Sequence, residues 1–116
     1  TAPLKIGYTE LSEWVVSQGG IIVPAHIDRP VNGLLMQMGK IPDGLKYDAL
    51  EISAFSNAGM LIEEHPIIAT KTIIRSSDSH VLKTIGNSST IFSVESLSFD
   101  EIKWAMNKKD GRSVIH

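Results

Sequence analysis

The chain has no cysteine among its 116 residues, which excludes disulfides and thiolate metal sites and leaves nitrogen and oxygen as the only ligands for a metal. No apolar run is long enough to cross a bilayer, and no basic-then-apolar leader opens the chain. The expected setting is cytoplasmic, with no membrane partner. No basic stripe is present either: 11 Lys and Arg are interspersed with 13 Asp and Glu for a net charge of −2, so the charge pattern predicts no nucleic-acid partner. A glycine-rich phosphate loop, an HExxH pair and a serine nucleophile elbow are all missing, which removes three common catalytic designs. No repeat, low-complexity tract or linker divides the chain. Its length makes one domain and falls well short of a complete α/β barrel. The first residue is Thr1 rather than Met, as in a processed product or a fragment.

What is present is an alternation of apolar and amphipathic runs. "ELSEWVVSQGG" carries Leu11, Trp14, Val15 and Gln18 at helical spacing, with Thr9 as N-cap and Gly19 as stop. "IIVPA" (21–25) reads as a wholly apolar strand buried on both faces. Leu34, Leu35 and Met38 predict a short helix closed by Gly39, "IPDG" is turn chemistry, and "DALEIS" (48–53) is the next strand. "SNAGMLIEEHP" predicts a helix stopped by Pro66. "KTIIRS" (71–76) and "STIFSV" (89–94) complete the strands. A last helix opens on the Ser98 and Glu101 capping box and ends near Lys108, Lys109 and Gly111. Both tryptophans, Trp14 and Trp104, fall on helices, where core packing is the expected use.

Apolar strands alternating with helices predict an α/β fold with a parallel sheet of βα units, whose chemistry gathers at the C-terminal strand ends. His26 follows the first strand, Glu51 and Ser53 end the second, and Asp78 and His80 follow the third. A spacing of two puts Asp78 and His80 on one face of extended chain, where one ion could reach both. Alone the pair is equally a polar turn; with His26 on a neighbouring strand end it becomes a candidate metal site. Arg29 offers a planar fork of donors suited to phosphate, or a salt bridge to Asp28. Glu51 is a candidate outer partner for a metal-bound histidine, or an ordinary polar strand position. His65 falls at the opposite rim.

"GGIIVPAHIDRP", "YDALEIS", "IIRSSDSH" followed by "IG", and "SFDEIKWAMNKKDGRSV", in that order and spacing, resemble the C-terminal half of a PHP domain, the polymerase and histidinol phosphatase superfamily. The resemblance covers the chain from about Gly19 onward. It implies the C-terminal half of a distorted (βα)7 barrel, a cluster of divalent zinc, manganese or iron, and hydrolysis of phosphoesters. The family's histidine at the end of an apolar strand corresponds to His26, and its Asp and His two apart correspond to Asp78 and His80. These three are the metal ligands the resemblance implies.

The family's opening HxH motif occurs nowhere in the sequence, and its second motif is missing too. The whole chain, 1–116, therefore reads as a partial PHP domain: the C-terminal portion of a metal-dependent phosphoesterase, inactive by itself, whose full-length form acts on a small-molecule phosphoester. The alternatives are a non-catalytic PHP-like interaction or assembly module and, on this charge balance, a less favoured polymerase-associated nuclease domain.

Half a barrel leaves a strand edge unpaired and an apolar sheet face uncovered. The chain is expected to self-associate through that edge, and a concentration-independent monomer in sedimentation velocity would count against this.

Overall fold

A computed structural model describes residues 4–115, so His116, given no role above, lies outside them. Helix α1 (Tyr8–Ser17) and the short α2 (Leu34–Met38) precede strand β1 (Ala49–Ile52). Helix α3 (Ala58–Glu64) and a 3-10 turn (Pro66–Thr70) lead to β2 (Thr72–Arg75). Strand β3 (Ile91–Ser93), helix α4 (Phe99–Met106) and β4 (Ser113–Ile115) follow. The fold is mixed α/β around a parallel pair, with Ala49 opposite Thr72 and Ile52 opposite Arg75. Ile27, Leu35, Ile41, Leu50, Ile52, Ile68 and Ile73 form one buried cluster beside this pair. No helix among the described residues is long and apolar enough to cross a membrane.

Residues 21–25 run beside β1 but are not a regular strand, and proline is the reason. The Asp48 N–H donates to Ile22 O at 2.8 Å, and in a parallel ladder the Asp48 carbonyl would then take the N–H of residue 24. Pro24 has none. Pairing resumes with Glu51 N–H to Pro24 O and Ile27 N–H to Glu51 O, both 3.0 Å, one residue more than a regular register holds. That extra residue is a bulge, and His26, at φ 28, carries it. The segment is half-buried rather than buried on both faces. Among the described residues, the Val23 and Ala25 N–H groups have no backbone partner, so its outer side is an open edge.

Two side chains of β1 and its approach replace the lost ladder. Asp48 Oδ2 accepts from Ile22 N–H at 2.8 Å and Glu51 Oε2 from His26 N–H at 3.1 Å. Asp48 is 6% exposed, and Oδ1 takes Lys103 Nζ at 3.0 Å and Asn107 Nδ2 at 2.9 Å, tying α4 to the sheet.

Strand β3 is not a fourth parallel strand. It pairs antiparallel with β4, a strand the sequence reading did not anticipate, with Ile91 opposite Ile115. Three residues with a glycine and an arginine before them offer too little apolar pattern to be seen beforehand. Helix α1 has Gly7 rather than Thr9 as its N-cap; Thr9 lies inside the helix, where its carbonyl accepts from Ser12 Oγ at 2.8 Å. Ser12 is the buried residue of α1 and Trp14 is 60% exposed, reversing the expected packing. Ser98 caps α4 by accepting from Glu101 N–H at 3.2 Å. Glu101 does not complete the box; its carboxylate binds Arg112 and the Glu95 N–H instead.

Burial disfavours the Asp48 carboxylate, but bonds from Ile22 N–H, Asn107 and Lys103, with the ammonium charge, outweigh it and hold the pKa below 3.8. Because folding lowers this pKa, the stabilisation is complete above the unfolded value and drains as pH falls below about 4. Asp48→Ala should cost about 3 kcal/mol at neutral pH, since it strands Lys103 and the Ile22 N–H. Urea denaturation at pH 7 and pH 3 checks both points: the gap between wild type and variant should shrink at the lower pH.

Candidate metal and phosphate site

The site follows from the bulge. Having left the ladder at His26, the chain turns through Asp28 and Arg29 and returns to Gly33, whose N–H reaches Arg29 O at 2.8 Å. A Cβ at Gly33 would lie 2.4 Å from Arg29 O and 2.6 Å from Ile27 O, so only glycine closes this turn. Within it Val31 takes φ 72 between Pro30 O and Asn32 N–H, bonded at 2.9 Å, a strained setting for a β-branched residue. Asp78, at the end of β2, is also left-handed at φ 46. Such conformations cost about 1 kcal/mol or more each and persist only where surroundings enforce them.

His26, Arg29, Glu51, Ser53, Ser76 and Asp78 line one cleft of about 200 Å³ beyond the C-terminal ends of β1 and β2. The strand ends named from the sequence therefore converge. Glu51 Oε2 lies 3.7 Å from His26 Nδ1, while Glu51 Oε1 accepts from Ser76 Oγ. One carboxylate thus lies beside the imidazole and bonds to the Ser76 hydroxyl just beyond β2. Among the described residues neither ring nitrogen of His26 is hydrogen-bonded. The Glu51 contact is a longer electrostatic one, not the hydrogen bond by which a carboxylate orients a metal-binding histidine.

Arg29 pairs with Asp78 across the cleft rather than with Asp28, both partners about 40% exposed. His80 is elsewhere. The premise of extended chain fails at Asp78, which is left-handed at φ 46. His80 is exposed, its Nδ1 lies 2.8 Å from Asp78 O, and it does not line the cleft. Among the described residues no three of His, Asp or Glu converge closely enough to hold a metal ion. By type His26 and Asp78 are a nitrogen and an oxygen donor, and both line the cleft.

Two residues that shape the cleft had drawn no functional reading. Burial opposes ionisation of Asp28, but bonds from Ser56, the Ser53 N–H and Ser53 Oγ outweigh it and lower its pKa. Arg75, last residue of β2, spreads its guanidinium over Ser53 O, Ala54 O and Ser56 O at 3.0, 3.1 and 2.7 Å. Together they pin the loop after β1. An arginine closing an apolar strand and the two serines, Ser53 and Ser56, after β1 were the available signals.

No family model and no curated protein matches the chain. A solved structure does. It is the crystal structure of the lesion-specific endonuclease PfuEndoQ from Pyrococcus furiosus, matched with TM-score 0.79 and 24% identity over 96% of this chain. The chain spans 29% of that protein's chain. At this identity the likeness is one of fold.

Arg75→Ala should lower stability by about 2 kcal/mol, the value of charged hydrogen bonds, and speed amide exchange at residues 53–56. Arg75→Lys, which keeps the charge but loses the fork, should recover less than half of the protection by hydrogen-exchange mass spectrometry.

Proposed function

We propose that the chain is the C-terminal portion of a PHP-type, metal-dependent phosphoesterase. The observation that carries this is the single cleft holding His26 with Glu51 beside it, Asp78, and Arg29. The motif resemblance supports it, and so does a fold shared with part of an endonuclease. His26 and Asp78 would hold a divalent ion, with His80 joining them by resemblance after a change in the 76–80 turn. Zinc, manganese and iron all suit these donors. Such an ion supplies polarisation of a phosphoryl oxygen and activation of water near neutral pH.

The chain's own residues supply position. Glu51 places a carboxylate beside the His26 ring at the cleft. Arg29 is the phosphate contact: its fork now engages the Asp78 carboxylate, and a phosphoester would compete for the same donors. Asp28, Ser53, Ser56 and Arg75 keep the loop after β1 from moving. The remaining ligands of a full cluster belong to a longer protein, and turnover by this chain alone is negligible.

The fold likeness to a lesion-specific endonuclease favours a second reading for the substrate, a nucleic-acid phosphodiester instead of a small phosphoester. A non-catalytic module is the rival to both.

Equilibrium dialysis with Mn²⁺, followed by elemental analysis, separates enzyme from module. Wild type should take up the ion weakly and saturably, and His26→Ala and Asp78→Ala should abolish uptake. Arg29→Ala should strengthen it about five-fold, because the half-exposed ion pair it removes is worth up to roughly 1 kcal/mol. Uptake unchanged in all three variants would overturn the assignment.

A further inference from the structure

The opposite rim of the sheet carries a second charged feature. Lys46, Lys71, Lys103 and Lys109 line a cleft of about 570 Å³ together with Tyr47, Asp48, Trp104 and Asn107. They come from the approach to β1, the approach to β2, helix α4 and the turn after it, so the sequence order hides them. Only one carboxylate, Asp48, is among the lining residues, and it is matched by Lys103 at 3.0 Å. Lys103 Nζ is further occupied by Gly20 O at 2.6 Å. Lys46, Lys71 and Lys109 form no ion pair among the described residues.

Two of the three are also held in place. Lys71 Nζ sits 5.1 Å from the Tyr47 ring centre and 3.4 Å from Tyr47 O. Lys109 Nζ lies 4.9 Å from the Trp104 ring centre, which Arg112 also approaches at 5.2 Å. The rings hold the ammonium groups themselves at the cleft, so less side-chain freedom is lost when an anion arrives. The surplus is about three positive charges in a molecule whose net charge is −2. A single phosphate would not use three separated ammonium groups; a chain of phosphates would. With the rings already covered by cations, no platform is left for reading bases.

We propose that this cleft binds a nucleic-acid backbone through its phosphates, gripped by Lys46, Lys71 and Lys109, without sequence readout. The site is separate from the cleft at His26 and stands or falls independently of it.

Fluorescence anisotropy of a short labelled single-stranded oligonucleotide, titrated at several salt concentrations, tests this. Three neutralised phosphates on a single strand should give a slope of about −2 in log affinity against log salt. Lys46→Ala and Lys109→Ala, both at exposed positions, should each make the slope shallower by about 0.7. The charge reversal K46E/K71E/K109E should weaken binding more than tenfold. The control K5E/K40E/K83E, equal in charge change but away from the cleft, should leave most of it. Binding should persist in His26→Ala and Asp78→Ala. The proposal is overturned by absence of binding at low salt, or by equal loss in the two triple variants when both melt cooperatively. It is equally overturned if polyglutamate competes as well as unlabelled oligonucleotide, which would make the ligand an acidic polypeptide.

Discussion

Two carboxylates, Asp48 just before β1 and Glu51 within it, take the Ile22 and His26 N–H groups on either side of Pro24, where the backbone ladder is interrupted. A parallel ladder needs an N–H at each alternate residue, and one proline in the neighbouring segment leaves it without a regular continuation. The side chains clasp the segment at both ends instead. Each then recruits further groups: Asp48 gathers Lys103 and Asn107 from α4, and Glu51 gathers Ser76 from the end of β2. The core of isoleucines and leucines supplies the bulk of the burial, but these clasps decide where the irregular strand lies and therefore where His26 points.

The bulge is what gives His26 its use. In a regular strand, residue 26 would spend its N–H on the ladder and its side chain would follow the pleat. Here the N–H goes to Glu51 Oε2 and the ring sits beside the same carboxylate. One side chain thus takes the N–H that the bulge frees and sits beside the imidazole. Asp78 shows the same logic at the next strand end, where Arg29 engages the carboxylate of a left-handed residue.

Much of this could be read from the sequence, and the failures have local causes. Gly39 and Ser98 announced the end of α2 and the start of α4, and each sits at its cap; Asn57, which caps α3, was not singled out. The strand ends carrying His26, Glu51 and Asp78 were legible because apolar runs give way there to polar residues. The irregularity at 21–25 had a visible signal in Pro24, outweighed by the apolar run around it. The left-handed turn at Asp78, beyond which His80 does not line the cleft, had none, since spacing does not encode the tertiary contacts that fix it. Trp14 was misjudged because periodicity locates a helical face without saying which face the rest of the fold covers. Strand β4 was missed because its pairing with β3 is antiparallel and separated from the main sheet.

The two rims are coupled by the shortness of the sheet. The two clasps, Asp48 and Glu51, are three residues apart, so they stand only about 10 Å apart. Asp48 locks helix α4 against one end of the irregular segment, and that segment has just four residues, Ile22 to Ala25, before it delivers His26 to the other. Loosening the Asp48 clasp would leave the segment held here by the Glu51 N–H to Pro24 O bond, with no N–H of residue 24 to donate a second. The bulge would then relax, the His26 N–H would leave Glu51, and the cleft would lose its fixed imidazole. The precision of the candidate metal site is thus set in part at the opposite rim, by a buried carboxylate that never reaches it.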